Sequence, residues 1–280
     1  MHQVLFDAGS RRILDEKYVR SDLLRAVFLS HAHLDHTLYL GKLIRRLKRE
    51  GRETPLLVYC HENAWKSLRW WIRLFCFRVP KFVKYMSMGL KMGDPHLKTH
   101  RKECQTDLSQ SKVLKPIKLG ENLLLSIKVA PALHSSGSVV YRIKVSAVAT
   151  EDSTDSQSVD FAFSPDTSYS SDHLIPFVKN VDYWLLDSAF AKEIIDERYK
   201  KFQNHERGGE IVCHSGPYYS GRLCELASVK NYVMIHYVWN RYAANYEDVD
   251  NAMIQRARET YGGNIIVSKD LKSIEMRRTD

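Results

Sequence analysis

The chain has 280 residues, 44% of them hydrophobic and 27% charged, with a net charge of +9. That is enough to bury a full core, and no apolar run reaches the length of a membrane span, so a spanning protein is excluded and no membrane partner is expected. Five cysteines with no Cys-x-x-Cys pair favour reduced thiols over a disulfide framework, and the start Met1–Asp7 lacks the basic and apolar regions of a signal peptide, so a cytoplasmic location is expected.

In chain order, Val4–Phe6 reads as a strand ending at Asp7-Ala8-Gly9, a turn that can support a nearby site. Leu14–Arg25 reads as a helix with a short connection. Ala26–Leu29 is a second strand, and it runs into Ser30-His31-Ala32-His33-Leu34-Asp35-His36-Thr37. Three imidazoles and a carboxylate lie within six positions of that segment, directly after a strand. Imidazole nitrogen suits zinc and similar borderline ions, and a carboxylate adds charge and a hard oxygen. One such histidine is ordinarily a surface residue; this spacing reads as a metal loop. An amphipathic helix follows from Leu38 to Arg49, and a short buried strand spans Pro55–Tyr59.

Asn63–Val79 interleaves Trp65, Trp70, Trp71, Phe75 and Phe77 with Lys66, Arg69, Arg73 and Arg78. It reads either as a basic-aromatic surface for single-stranded nucleic acid or a membrane interface, or as a core helix with a wet edge. Aromatic density favours burial. Residues 65–118 carry thirteen Lys or Arg against Asp94, Glu103 and Asp107, so the positive charge is concentrated there. That field suits an anionic partner, nucleic acid first, although a solvated basic face gives the same count. Pro80–Lys115 shows little period and reads as an exposed loop.

From Ile117 the pattern turns to β: Ile117–Leu119, Leu123–Val129, Val139–Val148 and Val159–Phe163, with an acidic loop at Thr150–Ser158. Strands at Tyr183–Leu186, Val233–Ile235 and Ile265–Val267 alternate with helices at Ile194–Lys201, Gly221–Ala227 and Val249–Tyr261. The order is α/β, and two sheets packed together with helices outside account for it. One domain over 1–280 is expected, with a basic insertion or lid around 63–116. His134, Asp166 and His236 each follow an apolar run, at positions where a His or Asp can simply cap a turn.

Taken with the His-x-His-x-Asp-His segment, these three residues make the chain resemble the metallo-β-lactamase superfamily, most closely its ribonuclease Z and phosphodiesterase branch. Leu5-Phe6-Asp7-Ala8-Gly9 and Ser21–Ser30 resemble that branch's lead into the metal motif. The resemblance implies a four-layer αββα sandwich. It implies one metal on His31, His33 and His134, a second on Asp35, His36 and His236, and Asp166 bridging both. Two zinc ions are the expected cofactors, and manganese or iron also fits a mixed His/Asp site. Asp182–Phe190 is similar to the branch's His-Glu-Ala-Thr-Phe segment, with Asp187 in place of Glu and Leu186 in place of His. His214 resembles the branch's separate catalytic histidine. Its bland reading is a neighbour of a helix N-cap.

The implied activity is a phosphodiesterase or endoribonuclease that hydrolyses with a metal-activated water, with tRNA 3′ processing as one instance. Asp35, His214 and Asp187 are the expected catalytic residues, with His214 the proton donor that Asp187 orients. Ser136, Ser138 and Arg241 are candidate substrate contacts. Expected partners are RNA, such as a tRNA precursor, or a small phosphodiester, and a homodimer is compatible with the sequence. The competing readings are a metallo-hydrolase for a cyclic nucleotide or cyclic phosphate and a non-catalytic RNA-binding subunit. No Gly/Pro-rich stretch matches the clamping arm of ribonuclease Z, which favours the small-substrate alternative; seven intact ligand positions speak against the non-catalytic one.

Overall fold

Alternation along the apolar runs decides which side of each strand meets which layer. A computed structural model describes residues 2–90, 110–135, 137–147, 158–204, 213–237, 246–269 and 273–277. Strands β1 (Gln3–Phe6), β2 (Leu24–Phe28), β3 (Leu56–Cys60) and β4 (Val83–Ser87) form a parallel sheet in the order β1-β2-β3-β4. One face carries Val27, Leu29, Val58 and Cys60 and packs under Leu43, Ile44 and Leu47 of α2 (Leu40–Arg49) and Leu68 and Ile72 of α3 (Glu62–Cys76). The other face carries Ala26, Phe28 and Tyr59 and belongs to a separate cluster.

That second cluster is completed by Leu125, Ile127, Tyr141 and Ile143 of the second sheet. This sheet contains β5 (Lys112–Val113), β6 (Ile117–Lys118), β7 (Leu123–Pro131), β8 (Val139–Ala147), β9 (Ser158–Ser164), β10 (Tyr183–Asp187), β11 (Asn231–Ile235) and β12 (Asn264–Val267). Its path is β12-β11-β10-β9-β8-β7-β5, with β6 also on β7; β9 to β12 run parallel, while β7, β8 and β9 are antiparallel. Val140, Ala162, Trp184, Leu186, Tyr232 and Met234 face outward. They pack against Leu223 and Cys224 of α6 (Pro217–Leu226) and Val249 and Met253 of α7 (Tyr246–Arg258). The result is helix, sheet, sheet, helix. The sheets are joined close to the metal motif: Val139 N–H donates to Ser30 O at 2.9 Å, and the buried Tyr141 hydroxyl donates to Leu29 O at 2.7 Å.

Several elements depart from expectation. Leu14–Arg25 is a 3-10 turn over Arg11–Leu14 followed by irregular turns. The Arg46 guanidinium from α2 takes the Leu14 and Val19 carbonyls at 2.7 Å each, so tertiary contacts satisfy backbone that a helix would otherwise close. The helix expected over Leu38–Arg49 is present as α2 and starts two residues later. A single turn, α1 (Leu34–Thr37), lies inside the motif, and α2 begins at Leu40, because Tyr39 N–H donates to Ala8 O at 2.9 Å. The insertion or lid expected around 63–116 is corrected at its start. Residues of α3 are in the core and β4 pairs with β3, so both belong to the first two layers. Residues 91–109, and 148–157 of the acidic loop, lie outside the described residues.

The aromatic residues of α3 also correct the expectation of burial. The face in the core is Ala64, Leu68, Ile72 and Cys76, while Trp65, Trp71 and Phe75 are half-buried and Trp70 and Phe77 exposed. Small and aliphatic residues fit the close approach to α2, where a Cβ on Gly41 would meet the Phe75 ring at 2.4 Å.

Gly9 has the tightest approach at the site. A Cβ there would fall 1.3 Å from the Asp35 carbonyl oxygen. Gly9→Ala is expected to cost roughly 3 kcal/mol or more, since backbone must move to admit the methyl. Urea unfolding measures this; a cost below about 1 kcal/mol would show that the contact is loose.

Candidate metal centre

Every ligand candidate sits at the end of a strand or on the loop just after it, so the sheet edges aim the side chains. His31 and His33 follow β2, and Asp35 and His36 lie on α1. His134 follows β7, Asp166 follows β9, Asp187 ends β10, and His236 follows β11. Two of these strand ends turn through the left-handed region without glycine: Asp7 at φ 56° and His236 at φ 55°. Such conformations are costly for ordinary residues and persist where surrounding contacts fix them.

Three contacts fix Asp7. Its carboxylate accepts the Ser30 N–H at 2.7 Å and the Ser30 hydroxyl at 2.8 Å, and it lies 2.7 Å from His36 Nδ1. The far nitrogens of His31, His134 and His236 are held in the same way. His31 Nδ1 meets the Ser30 hydroxyl at 2.9 Å, His134 Nδ1 donates to Cys213 O at 2.7 Å, and His236 Nδ1 lies 3.4 Å from Asp187 Oδ1. A fixed far nitrogen sets tautomer and ring orientation and leaves the Nε2 lone pair for a metal.

The inward atoms converge in two groups. One is His31, His33, His134 and Asp166; the other is Asp35, His36, Asp166 and His236. Asp166 belongs to both. Its Oδ2 is 3.4 Å from His31 Nε2 and 3.2 Å from His134 Nε2, and its Oδ1 is 3.1 Å from His36 Nε2 and 3.4 Å from His236 Nε2. Asp35 Oδ2 stands 3.4 Å from the Nε2 atoms of both His36 and His236. All seven expected ligands are therefore brought together, in the two groups that the family resemblance implied.

The chemistry of the donors fits a cation. His31 Nε2, His36 Nε2 and Asp166 Oδ1 are buried without a hydrogen-bond partner. Each such atom costs about 1–3 kcal/mol if nothing satisfies it. His33 Nδ1 and His134 Nε2 point at each other across 3.1 Å, which suits two lone pairs converging on a shared positive centre.

Protonation tells the same story. Burial lowers the His36 imidazole, but the Asp166 and Asp7 carboxylates outweigh it and raise it to about 10. Burial likewise lowers His236, and Asp187 outweighs it, raising it to about 9. Burial takes His134 down to about 4, against the opposing pull of Asp166. Burial pushes the Asp166 carboxyl up, yet the surrounding imidazoles hold it well below the usual carboxylate range.

The third convergence is Asp166, Asp187, His214 and His236. Asp187 is fully buried. Its Oδ2 lies 2.8 Å from His214 Nδ1 and accepts the Thr167 and Ser215 N–H groups at 3.2 and 3.3 Å, while Oδ1 accepts the Ala189 N–H at 3.0 Å. The His214 ring stands 4.8 Å from the His134 ring and stacks on His236 at 5.2 Å, so it borders the cage. The N-cap of α6 is Gly216, two residues past His214.

The substrate contacts fare differently. Ser138 is corrected: it is buried, and its hydroxyl is used within the turn, 3.1 Å from Ser135 N and 2.9 Å from Ser135 Oγ. Ser136 and Arg241 lie outside the described residues. Sequence reasoning missed Ser30 and the Cys213 carbonyl. Ser30 adjoins the motif and could have been found; a backbone carbonyl leaves no trace in residue identity.

The raised histidines predict a pH dependence. In the metal-free protein His36 and His236 contribute stability that is fully present below the ordinary imidazole range, near 6.5, and is lost as pH rises through about 9 and 10. Thermal unfolding of metal-free protein is expected at lower temperature at pH 10 than at pH 7, with the loss reduced once metal takes the place of the protons. A melting temperature that rises over that range would contradict the assignment.

Comparisons with known proteins agree with this architecture. Residues 2–237 match a family model described as a beta-lactamase superfamily domain. No curated protein matches the sequence. Among solved structures, the metallo-beta-lactamase fold protein YhfI from Bacillus subtilis has 20% identity, a TM-score of 0.59 and coverage of 96% of this chain and 85% of its own. The short form of human tRNase Z has 14% identity, a TM-score of 0.63 and coverage of 98% and 88%. Zinc-bound PqqB from Methylobacterium extorquens has 15% identity, a TM-score of 0.58 and coverage of 98% and 84%. At these identities the structures establish the fold. Proteins of this fold family bind metal ions and are metal-dependent hydrolases. With four layers, strand-end His/Asp groups and a family match spanning most of its length, the chain belongs to the beta-lactamase superfamily.

Proposed function

We propose that the chain is a metal-dependent phosphodiesterase of the ribonuclease Z type. The observation that carries the reading is the His214–Asp187 pair, 2.8 Å apart and bordering the two ligand groups. A cage of His and Asp ligands alone serves many hydrolyses. A separate carboxylate-held imidazole beside it adds a proton donor for a leaving oxygen.

His31, His33, His134 and Asp166 would hold one ion, and Asp35, His36, His236 and Asp166 the other. Two ions held there, with zinc the first choice, would supply Lewis acidity and make water a nucleophile near neutral pH. The chain does the rest. Asp35, whose side chain is 62% exposed, reaches the open side of the cage and can take the proton of the attacking water. His214 holds its Nδ1 against Asp187, so Nε2 faces the leaving oxygen and delivers a proton there. Asp187 keeps the ring in that tautomer and orientation.

Past α3, the nine Lys or Arg over 81–118 against Asp94, Glu103 and Asp107 support an RNA substrate, of which a tRNA precursor is one. A small cyclic phosphodiester is the second reading, supported by the lack of a Gly/Pro-rich arm in the sequence. Cleavage of a tRNA precursor, run beside a cyclic-nucleotide panel with metal-loaded protein, separates the two. Affinity for RNA should fall steeply with salt, and affinity for a small cyclic phosphate should not. Metal-loaded protein that leaves these substrates and bis(p-nitrophenyl) phosphate intact would overturn the proposal.

His214→Ala should leave metal content near that of the parent and lower turnover by roughly two to four orders of magnitude, the usual worth of a general acid. His134→Ala should lower metal occupancy first. Both are read by metal analysis beside single-turnover rates; metal loss in the His214 variant would make that residue a ligand instead.

A further inference from the structure

Among the described residues, the outer face of α3 takes no part in the core clusters or in the candidate metal centre. Its most exposed apolar residues are Trp70 at 61%, Leu74 at 53% and, just past the last turn, Phe77 at 95%. Trp70, Leu74 and Phe77 follow helical spacing, so they form one stripe about 10 Å long on the side away from the core. Lys66, Arg69 and Arg73 flank the stripe and are exposed, as is Arg78 beyond it. The adjoining helix α2 adds exposed Lys42, Arg45 and Lys48. From residue 63 to residue 93 the sequence contains no Asp or Glu.

Phe77 is the more telling residue. It caps α3 at φ 62°, a position where glycine is relaxed and a side chain is strained. The fold takes a strained backbone there and buries almost none of the ring.

We propose that the α2–α3 layer is a docking surface for an anionic lipid membrane, with Trp70, Leu74 and Phe77 entering the headgroup region and the surrounding Lys and Arg side chains meeting lipid phosphates. Trp, Leu and Phe on one face with Lys and Arg around them is the composition of an interfacial helix, and each basic residue near an anionic leaflet adds to binding. Single-stranded nucleic acid fits less well. Bases stack on rings, and the aliphatic Leu74 between the two rings offers no stacking face. A second copy of the chain would bring two cationic rims together, which opposes pairing. The surface contact needs no spanning segment, and among the described residues no helix is long and apolar enough to cross a membrane.

The test is flotation of the full chain with phosphatidylcholine vesicles, with and without about one third phosphatidylserine. Binding is expected only to the anionic vesicles, and about tenfold or more weaker for Trp70→Ala with Phe77→Gly, and for Arg69→Gln with Arg73→Gln. Phe77→Gly alone should raise resistance to urea while weakening vesicle binding, so misfolding cannot account for the loss. Hydrolysis of bis(p-nitrophenyl) phosphate should not change in any of these variants. Equal binding to both vesicle types, no binding to either, or parental binding by the paired variants would overturn the proposal. So would variants that alter a single-stranded RNA gel shift or the sedimentation of the protein while leaving vesicle binding intact; those results would assign the face to RNA or to a second copy.

Discussion

A carboxylate buried to 3% exposure among four imidazoles is the constraint from which the candidate centre follows. Asp166 brings a negative charge into a dry interior, which is costly unless positive charge or strong donors meet it. Protonated histidines can meet it, and so can metal ions, but the imidazoles cannot turn away, because their far nitrogens are already engaged. The two sheets must therefore hold their ends in register to within a fraction of an ångström. The Val139-to-Ser30 backbone bond and the Tyr141 hydroxyl on Leu29 O fasten them at that level, directly beside the ligands.

Each sheet brings its own brace. In the first, Asp7 at the end of β1 holds Ser30 and His36; in the second, Asp187 at the end of β10 holds His214 and His236. Both are carboxylates at the carboxyl ends of parallel strands, with backbone N–H groups as further donors. They differ in what they orient. Asp7 supports ligand candidates alone, whereas Asp187 couples a ligand candidate to the candidate proton donor.

Much of this was legible from residue order. The His-x-His-x-Asp-His segment survives reading in one dimension because β2 and α1 place all four residues within a single loop and turn. His134, Asp166 and His236 each follow an apolar run that marks a strand, and the resemblance to the metallo-β-lactamase superfamily is what implied them as ligands. The helix expected over Leu14–Arg25 was not, since Arg46, distant in sequence, takes the Leu14 and Val19 carbonyls and replaces helical hydrogen bonds. The Trp and Phe residues of α3 misled for a related reason. Hydrophobicity reports what a side chain would bury, not whether the fold has a surface to bury it against: Ala64, Leu68, Ile72 and Cys76 are buried in this layer, whereas Trp65 and Phe75 pack on it only in part. Ser138 looked available because a hydroxyl near a ligand is common at sites; its turn had already taken it.

The sharing of Asp187 has a consequence for anyone altering the centre. Its two oxygens lie on a rigid group, one toward His214 and the other toward His236, and the backbone amides of Thr167, Ser215 and Ala189 leave it no freedom to pivot. Moving the His214 ring would therefore break its bond to Asp187 unless the carboxylate, and His236 with it, were displaced together. The two positions are mechanically linked, so a redesign has to treat β10, the His214 turn and the end of β11 as one part.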